Sequence, residues 1–221
     1  MRANRPIKKT LTQQERQLVR RLDTPQKVQR FLNALPYNSA ETMRTFRGVV
    51  ETQTSHCLEA ALFAAVVLEQ HDYPPLLLDL GSQDGLDHVM LLYEIQNRFG
   101  TVARSRDPGL HGRKPEFRTI RQLVASYAEP FVDLSGRVVE FGTLDLRRLT
   151  GYDWRLSSGN VWRVERALIE MPHEPYHMPD DEYAFWLRRY KSFKQKYPDD
   201  KPIFYPNRSS WAAGYPKPKR A

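Results

Sequence analysis

The chain has 221 residues and 25.9 kDa, with 40% apolar side chains spread along its length, enough for one buried core and short for two ordinary domains. Its longest apolar run, Ala60 to Leu68, is about half of the ~18 residues that a membrane-spanning helix needs, so no membrane partner is expected. With 34 Lys plus Arg against 26 Asp plus Glu the net charge is +8, and the single cysteine excludes an intramolecular disulfide or a CxxC zinc knuckle.

Residues 1–9 read as a flexible basic arm. Thr10 to Arg21 is rich in Gln, Arg and Glu where a secretory signal would need an apolar stretch, so a cytoplasmic location is expected. This segment predicts a first helix, with Thr12 as its cap and Glu15 three positions on. Thr24 followed by Pro25 starts a second, in which Val28, Phe31, Leu32 and Leu35 keep helical spacing until Pro36. Residues 36–54 show no sustained period and read as a structured loop or short helical turns. Cys57 to Glu69, CLEAALFAAVVLE, consists of helix formers and is apolar on nearly every side, which predicts a central buried helix.

Past Pro74 and Pro75 the pattern becomes strand-like in Leu76 to Leu80, His88 to Ile95 and Phe99 to Ser105, with turn signals between them. Thr119 to Phe131 predicts a helix and Val138 to Phe141 a short strand, whereas residues 143–171 give no clear period. Asp180 to Tyr197 carries a stripe of Tyr183, Trp186, Leu187, Tyr190 and Phe193 and reads as a helix packed by that stripe. Residues 198–221 form a tail rich in Pro, Lys and aromatic residues. No internal repeat is present.

Three residues fall where thiol chemistry would need them. Cys57 opens a helix, where unpaired N–H groups and the helix dipole favour a thiolate, and its own N–H is placed to meet an oxyanion. His88 begins the strand that follows and supplies a base. Asp107, after the next strand, would be brought beside His88 by a hairpin and orient the imidazole; Asp87 would point to the opposite strand face. Gln53 is a candidate oxyanion donor. Adjacent helical residues diverge by about 100°, so His56 is expected to face away from the sulfur, as a substrate-rim residue. Arg104, Arg106, His111 and Arg113 are candidates for a basic rim around a carboxylate-bearing substrate. His173 and His177 have metal-ligand spacing, but the prolines around them break any helix, so no metal site and no cofactor are expected.

SHCLEAALFAAVVLEQHDYPPLLLDL, DHVMLLYE and FGTVARSRDP, in this order, resemble the transglutaminase-like superfamily over roughly Thr24 to Tyr127. The resemblance implies an α+β, papain-like core, with a central buried helix on an antiparallel sheet and helical N- and C-terminal extensions. That gives a single domain over 10–197 with its motifs within about 24–141. It also implies acyl transfer or hydrolysis of a peptide, protein or small amide or ester substrate through a Cys57 thioester, with His88 and Asp107 completing a triad. A non-catalytic member of the fold, binding an anionic or protein partner, is the alternative; the basic termini would attract polyanions only weakly.

Overall fold

The computed structural model describes residues 10–200, so the basic arm and most of the C-terminal tail lie outside the described residues. The chain begins with α1 (Gln13–Arg21), α2 (Pro25–Ala34), α3 (Phe46–Thr52) and α4 (Cys57–Glu69). Thr12 caps α1 in a reciprocal capping box with Glu15, and Thr24 caps α2 with Pro25 in its first turn. The short α3 lies inside the segment read as loop or short turns. From Leu58 to Glu69 every residue of α4 is buried, as its all-round apolar composition requires.

Strands β1 (Leu76–Ser82), β2 (His88–Ile95) and β3 (Arg98–Val102) form an antiparallel meander. Gln96 and Asn97 both have positive φ, which lets two residues reverse the chain between β2 and β3. The sheet is completed by β4 (Arg113–Phe117), β5 (Val138–Asp145) and β6 (Glu174–Pro175) in the order β4-β3-β2-β1-β5-β6, every pair antiparallel. Remaining helices are α5 (Ile120–Phe131), α6 (Trp162–Glu170) and α7 (Asp180–Lys196). Strand β4 has no counterpart among the expected elements. Its sequence, RKPEF, is charged and carries Pro115, which an edge strand tolerates because one side of its ladder is unpaired.

Alternation along the strands divides the core in two. Leu77, Val89, Leu91 and Tyr93 pack with α4 and the N-terminal helices, whereas Leu78, Leu80, Met90 and Leu92 pack with Leu123, Val124 and Tyr127 of α5. An α+β architecture with a buried helix against an antiparallel sheet is therefore present. No helix among the described residues is long and apolar enough to cross a membrane.

Candidate functional site

The site is assembled where the N-terminus of α4 meets the first residue of β2 and the loop that follows β3. Cys57 is the first helical residue and is partly exposed; His88 is 3% exposed. Both line a cavity of about 450 Å³, together with His56, Tyr37 and Asp107. Burial alone would raise the thiol, but hydrogen bonds and charge from His56 and His88 outweigh it and bring Cys57 from 9.0 down to about 5. The sulfur is therefore mostly thiolate at neutral pH.

The two imidazoles are held in parallel ways. His88 Nε2 lies 2.8 Å from the Leu110 carbonyl oxygen, and His56 Nε2 lies 2.6 Å from that of Thr42. A carbonyl only accepts, so each Nε2 carries the proton and each Nδ1 is left for the sulfur. For His56 this corrects the expectation that it faces away. The residue is the N-cap of α4, with φ −94° and ψ −173°, and the 100° rule applies only inside a helix. Burial lowers its pKa, but the hydrogen bond and charge of Cys57, the charge of Glu59 and the Thr42 carbonyl together raise it.

Glu59 is buried in the first turn of α4. It accepts from Arg44 Nε at 2.7 Å, from Thr42 Oγ1 at 2.7 Å and from Asn38 Nδ2 at 3.0 Å, and lies 3.7 Å from His56 Nε2. Burial pushes its carboxyl up, yet these donors hold it down at about 2, so it stays ionised beside His56. The box-like spacing from His56 to Glu59 was the available sequence signal for it.

Asp107 lines the same cavity and opens the turn Pro108–Leu110, accepting from the Leu110 N–H at 3.0 Å. Three residues on, the Leu110 carbonyl meets His88 Nε2, so the turn that Asp107 opens also holds the imidazole. Asp87 also lines the cavity; its Oδ1 accepts from the Ser82 N–H at 2.9 Å and so holds the β1–β2 turn.

Gln53 is not brought to the site. It ends α3 in the left-handed conformation at φ 52°, and its Nε2 donates to the Val50 carbonyl at 2.7 Å. Tyr37, which sequence reasoning left in a loop, stands there in its place. Burial and the Cys57 thiolate lift its phenol to about 12, against the nearby Arg106 and Arg104, and the Cys57 backbone N–H is directed at its oxygen. The hydroxyl consequently keeps its proton beside the sulfur.

Of the four residues expected to form a basic rim, only Arg106 lines the cavity. Arg113 is fully buried: it donates to the His111 and Gly109 carbonyls at 2.7 Å each and lies 4.1 Å from the Tyr127 ring centre. His111 is buried against the Ser105 carbonyl, and burial lowers its pKa to about 4, keeping it neutral. Arg104 reaches the Leu35 carbonyl at 3.1 Å. These three fasten the loop of residues 103–112, whose Leu110 carbonyl holds His88.

His173 Nε2 lies 3.1 Å from Asp79 Oδ2, and no group of three or more metal-ligating side chains stands together among the described residues. In comparison with known proteins, no family model matches the chain, and no curated protein matches it significantly.

Proposed function

We propose that this chain is a transglutaminase-like cysteine enzyme that transfers or hydrolyses an acyl group through a thioester on Cys57. The observation that carries the reading is the thiol itself: a sulfur at a helix N-terminus, hydrogen-bonded by two histidines and held at about 5, facing a cavity. In this mechanism the Cys57 thiolate attacks an amide or ester carbonyl, and His88 delivers a proton from Nδ1 to the leaving group. It then takes a proton from the water or amine that attacks the thioester. Leu110 fixes the His88 tautomer. Asp107 shapes the turn that presents Leu110 and adds negative charge near the imidazolium. His56 stabilises the thiolate from the other side.

Tyr37 replaces Gln53 as the candidate oxyanion donor, since its protonated hydroxyl lines the cavity close to the sulfur. Tyr37→Phe should reduce kcat by roughly 10- to 1000-fold with a smaller effect on KM, the signature of a donor used in the transition state.

The test is a screen of amide, ester and peptide substrates with wild type and Cys57→Ala in parallel, with the acyl-enzyme sought by mass spectrometry. A covalent adduct on Cys57 that turns over supports the reading. Alkylation of Cys57 by iodoacetamide at pH 6 no faster than that of a free thiol would overturn it.

A further inference from the structure

The cavity has a charge opposite to that of the chain around it. Although the sequence carries +8, six acidic residues line the cavity, Asp79, Asp84, Asp87, Asp107, Asp133 and Glu165, against one arginine, Arg106. Several of these acids are met by neutral donors that satisfy their lone pairs without cancelling charge. Asp84 accepts from Ser82 Oγ and the Leu86 N–H, Asp87 from the Ser82 N–H, and Asp133 from the Ser135 and Gly136 N–H groups.

Asp79 is the telling member. It sits on β1, opposite Val89 of β2 and Gly142 of β5, and is only 3% exposed. Its Oδ2 meets His173, but its Oδ1 is buried with no hydrogen-bond partner. Burial lifts its carboxyl to about 6, with His173 opposing the rise and Asp87 adding to it. A carboxylate kept underneath a cavity with one oxygen unmatched costs stability, and that cost is recovered when a donor of positive charge is seated above it. Leu86 and Ile169, which also line the cavity, are 62% and 70% exposed and give its lining an aliphatic component.

We propose that the cavity takes its substrate by a cationic group, an ammonium or guanidinium on an aliphatic stem, drawn to the acidic wall at Asp79, and that the acyl donor is a basic peptide. This rests on the acyl-transfer reading of Cys57 and reverses the carboxylate-bearing substrate expected from Arg104, Arg106, His111 and Arg113. The net charge of the chain favours anions, so a preference for cations at Cys57 must arise locally.

Because Cys57 is the only cysteine, thiol labelling of the full chain reports on this cavity alone. The experiment compares three methanethiosulfonate reagents, neutral methyl, cationic trimethylammonioethyl and anionic sulfonatoethyl. In each case the thiolate displaces methanesulfinate to form a mixed disulfide, and rates are normalised to those of a small free thiol. The expected normalised cation-to-anion ratio is at least about tenfold, falling severalfold in Asp79→Asn and in Glu165→Gln and shrinking in 0.5 M salt. A ratio at or below that of the free thiol, or one unchanged in both folded variants, overturns the proposal. The neutral reagent reads the thiolate by itself, so a fast neutral reaction without charge preference rejects the cationic site and leaves the acyl-transfer reading standing. With peptide substrates, lysine beside the scissile bond should give a higher kcat/KM than glutamate in its place, and the reverse order overturns the proposal.

Discussion

At the scale of single residues, Cys57 and Asp79 are displaced from their ordinary titration in opposite directions, and each yields a measurement. The rate of Cys57 alkylation should rise with pH through a midpoint near 5, and His56→Ala should move that midpoint upward, since one of two hydrogen-bonding imidazoles is lost. Asp79, raised to about 6 from 3.8, favours its neutral form in the fold. Its stabilising contribution is therefore complete below about pH 4 and is lost as pH rises through 6. Asp79→Asn should raise stability at pH 7.5 by about 2 kcal/mol and give no gain at pH 4, as thermal melts at the two pH values will show. Cys57 and His88 were legible as a pair because helix start and strand start can both be read from pattern. His56 was misjudged since its role depends on being the N-cap rather than the first helical residue, a one-residue distinction that pattern does not resolve. Tyr37 and Asp79 were invisible for another reason: their approach to the site is set by long-range packing, not by local spacing.

At the scale of elements, the loop of residues 103–112 is the part on which the site most depends. Gln29 of α2 receives it as a strand would, accepting from the Ala103 N–H at 2.9 Å and donating to the Ala103 carbonyl at 2.7 Å. Gly112 passes so close to Gln29 and the Thr101 carbonyl that a Cβ would collide with both. Arg113 gathers the far end. Arg113→Lys, which keeps the charge but loses the planar fork, should leave the Gly109 and His111 carbonyls incompletely met and accelerate amide exchange across Gly109 to Arg113. It should lower kcat more than KM, because His88 would lose its fixed tautomer; unchanged exchange would show that the fork is dispensable. The helices α2, α4 and α5 and the start of β2 were readable from caps and periodicity. By contrast β4 and α6 were not, β4 because its edge position lets a charged, proline-bearing sequence pair, and α6 because its apolar face is narrow and its cap, Val161, makes no side-chain hydrogen bond.

At the scale of the whole molecule, the buried ionisable groups set a direction for acid stability. Glu59 is held at about 2, below its ordinary value, so its contribution is present above pH 4.5 and fades as pH falls through 2. His111, depressed to about 4, favours the neutral ring; its contribution is present above pH 6.5 and fades as pH falls toward 4. Asp79 opposes this loss between pH 6 and 4, so it is in Asp79→Asn that the urea midpoint should decline from pH 6.5 downward in two overlapping stages, and adding His111→Gln to that variant should remove the upper one. The sequence could announce the composition of this interior but not its pairings, since Arg44 and Glu59, or Arg113 and Tyr127, meet only after the sheet and helices are packed. One covalent detail reaches furthest. His56 and Cys57 are neighbours in the chain, whereas His88 is held through Leu110 by a separate loop. Loosening that loop would take away the acceptor that fixes the His88 ring, which stays on β2, while leaving the sulfur its neighbour His56, so activation of the thiol and delivery of the proton should be separable by mutating the loop alone.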